Sequence, residues 1–256
     1  IAEHTNCNSG SAYVAWQWKA NGGTTASNTD GSITSTVQAN QDAGFSIVTY
    51  TGTGSNAQTV GHGLGVAPNI IIGKNRSQSA NWWVGGSILT STQTMYLNLT
   101  NGIDTVAESI INNVTTSTTF KLGTDTNRNA ASATHIAYCF AEKQGYSKFG
   151  KYRGNGNADG AFVYLGFKPR WVMIKSTSAG VGWFMHDTKR STTNVMDDYL
   201  RADVSSQEGT SGTINIDFLS NGFKLRYNNN TNFSSHEYVY MAFAENPFVT
   251  STGVPT

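Results

Sequence analysis

Short apolar runs recur along this chain, and polar turn residues separate them. Between residues 45 and 140 the runs are rich in β-branched and aromatic residues, and they lie at 45–50, 69–73, 82–88, 94–99, 118–122 and 135–140. Such runs predict β-strands, and Asn-Gly dipeptides at positions 21, 101, 155 and 221 favour tight turns. Helix signals amount to a turn or two at 105–112 and 197–204. The pattern predicts an all-β fold, as a sandwich or barrel.

The second part of the chain repeats the first. Tyr152 follows Tyr50 by 102 residues and Pro169 follows Pro68 by 101, and the same spacing relates Gly52 to Gly154 and Lys74 to Lys175. The segment 135–142 is answered by 238–245, and a third copy of this segment alone stands at 13–20. Repetition at a fixed period predicts tandem units of one architecture.

These matches divide the chain into five parts. We predict a closing strand of a preceding unit in 1–22, a Gly/Thr/Ser-rich linker with a short strand in 23–42, jelly-roll-like β-sandwich units in 43–143 (unit 1) and 144–248 (unit 2), and a tail in 249–256. The closing strand lies at 13–20, with Val14, Trp16 and Trp18 on one face. Because the junction between the units is short, we expect them to pack closely.

Charge is sparse. Charged residues make up 13% of the chain and the net charge is +1, against about 25% charged residues in an average soluble domain. Lys and Arg residues are not clustered into a basic surface that could bind a phosphate backbone, so we expect no nucleic-acid partner. No apolar run is long enough to span a bilayer, so we expect no membrane insertion. A polar, uncharged surface suits an extracellular location. We expect Cys139 to behave as a small buried hydrophobe.

Candidate catalytic groups are few and are not repeated between the units. His62 lies in a Gly-rich loop, but the matching segment of unit 2 has no His. His186 and Asp187 resemble half of a catalytic triad, but no Gly-x-Ser-x-Gly elbow accompanies them. An acidic cluster of Asp197, Asp198, Asp203 and Glu208 would serve a glycosidase only if the carboxylates converged within about 5–10 Å. We therefore predict a non-enzymatic protein without a cofactor.

Two further groups are candidates for binding. Asn155, Asn157 and Asp159 match the first half of a calcium loop, but Gly166 stands where that loop requires an acid. A polar hairpin turn explains the same residues. Trp82 and Trp183 are candidates for stacking against sugars, and the alternative is that they form core or subunit contacts. Each has an aromatic neighbour, and in a strand the two would face opposite ways.

Several motifs, in order, resemble a repeat domain abundant in marine tailed-bacteriophage genomes. They are the runs 45–54, 61–68, 136–143, 145–148, 154–160 and 240–248, and the resemblance covers nearly the whole chain. The resemblance implies a virion protein at a tail fibre, another tail structure or the capsid surface. It implies no catalytic or binding residue.

The leading hypothesis is a non-enzymatic virion structural protein, a tail fibre, spike or surface decoration, that contacts host-surface glycans. Its expected partners are other virion proteins and further copies of itself, a trimer being the form expected for a fibre. One alternative is a carbohydrate-binding module of a surface adhesin, which would show an exposed aromatic side chain beside polar loops in a concave site. The other is a capsule depolymerase, which requires the acidic cluster to converge.

Overall fold

The computed structural model describes residues 12–178 and 180–247. The first group of elements is β1 (Ala26–Asn28), β2 (Ser35–Asn40), β3 (Phe45–Thr51), β4 (Gln58–Gly61), β5 (Ile70–Asn75), β6 (Trp83–Gly85), β7 (Gln93–Tyr96), β8 (Asp104–Thr105), α1 (Glu108–Ile111), β9 (Thr119–Leu122), α2 (Thr126–Asn129) and β10 (Thr134–Phe140). The second is β11 (Ser147–Arg153), β12 (Phe162–Tyr164), β13 (Pro169–Ser176), β14 (Trp183–Asp187), β15 (Asp198–Arg201), β16 (Gly209–Thr210), β17 (Ile216–Leu219), β18 (Gly222–Leu225) and β19 (Glu237–Ala244). The fold is all-β, as the sequence predicts.

Each unit consists of a large and a small antiparallel sheet. The large sheet of unit 1 has the order β1-β2-β3-β10-β5-β6-β7-β8, and that of unit 2 has the order β11-β19-β13-β14-β15-β16. The small sheets are β4-β9 in unit 1 and β12-β18-β17 in unit 2. From β3 onward the large sheet of unit 1 has the connectivity that the large sheet of unit 2 has from β11. This common order is what the predicted duplication requires.

The closing strands β10 and β19 explain how the layers pack. Alternate residues of a strand face opposite sides of its sheet. In β19 the even-numbered residues from Tyr238 to Ala244 join the core against the small sheet, and the odd-numbered residues from Val239 to Phe243 join the core between the large sheets. In β10, Ala137 and Cys139 likewise face the small sheet. The four sheets therefore stack as small, large, large and small.

The two large sheets share one core. Phe45, Ile70 and Phe140 of unit 1 pack with aromatic and methionine side chains of unit 2. Hydrogen bonds also cross between the units: the indole N–H of Trp183 donates to the carbonyl oxygen of Tyr96 at 2.9 Å, and the ammonium of Lys175 donates to the carbonyl oxygen of Thr100 at 3.2 Å. The predicted close packing of the units is confirmed.

Three local predictions differ from the structure. The segment 23–42 was predicted to be a linker with a short strand at 33–37; β2 overlaps that strand, but the segment also carries β1, and β2 pairs along the length of β3 instead of leaving the segment a linker. The strand predicted at 13–20 does not form; Trp16 and Trp18 pack against the shared core, but Val14, predicted on the same face, is 42% exposed. Alternation found two of the three side chains, but a strand also needs a neighbour to pair with. The helical turn predicted at 197–204 is wrong, since β15 lies there, whereas the turn at 105–112 is confirmed by α1.

Among the described residues no helix is long and apolar enough to cross a membrane. Cys139 is fully buried, as predicted, and burial raises the pKa of its thiol to about 12. The predicted tail, 249–256, lies outside the described residues.

Candidate functional site

His62 is a buried histidine held by backbone groups. The N–H of Leu64 donates to its Nδ1 at 3.2 Å, and its Nε2 lies 3.2 Å from the carbonyl oxygen of Thr116. Burial lowers the pKa of the ring. With both nitrogens engaged, the geometry favours a structural role for His62.

His186 and Asp187 do not form a catalytic dyad. They are neighbours on β14, so their side chains face opposite ways. The carboxylate of Asp187 accepts from Nε of Arg190 at 2.6 Å and from the indole N–H of Trp16 at 3.3 Å. Burial, together with the positive charge of Arg190, lowers the pKa of His186 to about 4. Asp187 therefore fixes a loop and the segment that carries Trp16.

The burial of His186 predicts a pH dependence of stability. Its pKa is about 4 in the folded chain and about 6.5 in the unfolded chain, so between these values the unfolded state binds a proton that the folded state excludes. The free energy of unfolding should therefore fall as pH drops from about 6.5 to about 4. Urea titrations at steps across this range measure the slope.

His186→Gln should reduce that slope, and His236→Gln, at a partly exposed histidine, serves as the matched control. His62 and His135 also have lowered pKa values because of burial, so part of the slope should persist. A slope that is unchanged in His186→Gln would contradict the assignment.

The acidic cluster does not converge on a reaction centre. Three of its carboxylates are held by separate partners: Asp198 by the hydroxyl of Thr210 at 2.6 Å, Asp203 by Arg201, and Glu208 by Arg190 at 2.9 Å. Within the described part of the chain no two of them share a donor. Glycoside hydrolysis needs a facing pair of carboxyl groups, whereas these three carboxylates are each engaged by a side chain of the protein.

The calcium candidate is an internally bonded turn. The Oδ1 of Asn155 accepts from the backbone N–H of Asn157 at 3.0 Å and from Nδ2 of Asn232 at 2.9 Å. The carboxylate of Asp159 pairs with Lys224 at 2.8 Å. Since internal donors already occupy these oxygens, the polar-turn interpretation fits better than a calcium site.

The tryptophan candidates differ in exposure. Trp183 is only 3% exposed and lies in the shared core, so its ring cannot stack on a sugar. Trp82 is half-buried, with the ammonium of Lys74 6.0 Å from its ring centroid. Its neighbour Trp83 is 1% exposed and lies in the core of unit 1. Trp183 and Phe184 are both buried, in different clusters, because β14 is covered on both faces.

Trp82 lines an apolar cleft between the two large sheets. The cleft has a volume of about 670 Å³, and its walls are aromatic and methionine side chains, with Trp16 and Trp18 at one side. The edge of Trp18 packs on Trp171, with ring centroids 5.5 Å apart. The segment before β1 therefore completes the wall of the cleft, although it forms no strand.

A second cavity lies at the free edge of unit 2 and has a different chemistry. Its volume is about 580 Å³, and its lining includes Glu142, Gln144, Lys148 and Tyr164. Tyr164 is 60% exposed, more than any other large hydrophobic side chain described. The ammonium of Lys148 lies 5.5 Å from the centroid of its ring. This is the exposed aromatic residue in a concave polar site that the carbohydrate-binding hypothesis predicts.

Sequence reasoning passed over Tyr164 and three buried polar residues. Asn129 and Asn232 are fully buried at equivalent places, and each accepts a backbone N–H from the turn after the first strand of its unit. Arg128 is 1% exposed, with its guanidinium 4.5 Å from the centroid of Trp83. The Asn pair keeps a spacing close to the repeat. No feature of the sequence marks Arg128 as buried, because its burial depends on the packing of α2 against β5.

The stacked antiparallel sheets of the described residues define an all-β domain. The chain belongs to the family described as a domain of unknown function, DUF7483, which matches residues 1–247. No curated protein and no solved structure matches the chain.

Proposed function

We propose that the chain is a non-enzymatic structural protein of a bacteriophage virion, a tail fibre, spike or surface decoration that contacts host-surface glycans. The observation that carries the proposal is the continuous core between the units, which makes a stiff module from two like parts. The potentially reactive side chains support it as well. His62, Asp187 and the acidic cluster hold loops together instead of facing a common cavity.

The surface composition supports an extracellular location for the chain. The chain has few charges, and most of its described ion pairs link residues within one unit. Multivalent display by repeated units raises avidity without new contacts. We propose that further copies of the chain, as a trimer, and other virion proteins are its partners.

A carbohydrate-binding module of a surface adhesin is the second candidate. The cavity at Tyr164 favours it, because an exposed aromatic ring beside a carboxylate, an amide and an ammonium is suited to sugars. The two candidates differ in where the protein resides.

Immunogold electron microscopy of purified virions tests the location. Antibodies raised against the purified chain should label particles produced from the encoding genome at a fixed place on the tail or head. Antibody preabsorbed with the chain is the control. Label confined to cell surfaces, with bare particles, would overturn the virion proposal and favour the adhesin.

A further inference from the structure

The two units differ at one side of their sandwiches. In unit 1 the outer edge of β3 is covered by β2, which pairs from Ser35 opposite Tyr50 to Asn40 opposite Phe45. The hydroxyl of Ser35 also donates to the carbonyl oxygen of Gly61 at 2.8 Å. This side of unit 1 is closed by its own chain.

In unit 2 the corresponding side is open. β11 is the edge of its large sheet and pairs with β19 alone among the described strands, while β12 is the edge of the small sheet. The turn that connects the units is too short to supply a covering strand like β2. Within residues 12–178 and 180–247, no strand therefore covers these two neighbouring sheet edges of unit 2.

Unit 1 and unit 2 carry different residues at one equivalent position on this side, and the difference follows from the presence or absence of the covering strand. Val60 lies opposite Phe120 and Val163 lies opposite Phe223, so Gly61 and the residue after Val163 are equivalent. A Cβ atom at Gly61 would lie 1.7 Å from Oδ1 of Asn28, so the covered unit has no room for a side chain there. The open unit carries Tyr164 instead.

The cavity beside Tyr164 combines an exposed ring with polar groups. Lys148 makes no ion pair within the described residues, and its ammonium lies near the ring of Tyr164. Glu142 and Gln144 are exposed and line the same cavity, and the carboxylate of Glu142 also accepts from the backbone N–H of Phe149 at 3.4 Å. An aromatic ring takes up the C–H face of a pyranose, while hydroxyl groups pair with carboxylate and amide oxygens.

We propose that this cavity binds an acidic saccharide, with a sugar ring on Tyr164, a substituent carboxylate on Lys148, and hydroxyl groups on Glu142 and Gln144. The proposal rests on the glycan contact in the proposed function and assigns it a site and a ligand class. A volume of about 580 Å³ lies within the range of roughly 300–1,000 Å³ typical of small-ligand sites.

The test is isothermal titration with oligogalacturonate, alginate oligomers and oligosialate, each beside its carboxyl-reduced counterpart. We expect the intact chain to bind at least one acidic oligomer, and to bind its reduced form at least tenfold more weakly. Tyr164→Ala should weaken binding at least tenfold, and Tyr164→Phe should retain it. Lys148→Met should abolish the preference for the acidic form while leaving binding of the reduced form.

Phe162→Ala is the matched control, since Phe162 is 46% exposed on the same strand but does not line the cavity. Its affinity should equal that of the original chain. Absence of binding to every oligomer, or equal binding by Tyr164→Ala, would overturn the site. So would self-association of the chain that Tyr164→Ala abolishes, because the open edge would then be an interface between copies.

The outcomes of the two experiments are separable. Labelled virions with no saccharide binding overturn this site alone. Saccharide binding through Tyr164 by a chain absent from virions supports the site and overturns the virion location.

Discussion

Trp183→Ala should lower the free energy of unfolding by about 3–5 kcal/mol, the usual cost of removing a large buried aromatic side chain. Trp183 is 3% exposed in the core between the large sheets. Its indole N–H donates to the carbonyl oxygen of Tyr96 in the other unit, so the substitution also removes a hydrogen bond between the units and leaves that oxygen, among the described residues, only the N–H of Leu99 at 3.3 Å. The loss should weaken the contact between units as well as unit 2 itself.

Chemical denaturation followed by circular dichroism measures this effect. Trp82→Ala is the matched control. The two tryptophans hold equivalent backbone positions, since the N–H of Trp82 donates to Asn98 and the N–H of Trp183 donates to Asp203. Trp82, however, is only half-buried. A smaller loss is expected for it. Equal losses in the two variants would contradict the shared core as the main site of packing.

Asn129→Ala and Asn232→Ala should each cost about 3 kcal/mol, because each leaves several buried backbone groups unsatisfied at about 1–3 kcal/mol apiece. The Oδ1 of Asn129 accepts from the N–H of Thr53 at 2.8 Å, and its Nδ2 donates to the carbonyl oxygens of Ser55 and Gly123. Asn232 accepts from the N–H of Asn155 at 3.0 Å. The two losses of stability should be similar, since the two side chains form equivalent hydrogen bonds in their units.

Asn157→Ala is the control for this pair. Asn157 is exposed in the same turn, and a surface substitution of this kind changes stability by about 0.5 kcal/mol. Losses that differ strongly between Asn129→Ala and Asn232→Ala would argue against equivalent roles, and so against the duplication. Denaturation midpoints with unchanged slopes provide the comparison.

The all-β class and most strands could be predicted because alternation and β-branched runs are local signals. Of β2, only a short strand at 33–37 within a linker was predicted, because the sequence there is polar; the strand is stabilised by its pairing with β3 rather than by its own apolar pattern. The segment 13–20 has the pattern of a strand without a partner for pairing. The formation of β2 and the absence of a strand at 13–20 both depend on neighbouring segments, not on the segment's own sequence.

The candidate site was harder to predict than the fold. Trp183 was a reasonable candidate by residue type, but its burial depends on how the units pack. Tyr164 becomes informative only when the units are compared: it stands where unit 1 has Gly61, and the reason is a covering strand that lies far from both in sequence. Contacts between distant segments decide which aromatic residue is exposed.

Differential scanning calorimetry of the whole chain tests the central claim, that two like units are joined into one structural body by a common core. We predict a single transition, with the calorimetric and van't Hoff enthalpies in a ratio of about one, as for a cooperative domain. Two resolved transitions, or a van't Hoff enthalpy of about half the calorimetric value, as when the two units unfold independently, would contradict it.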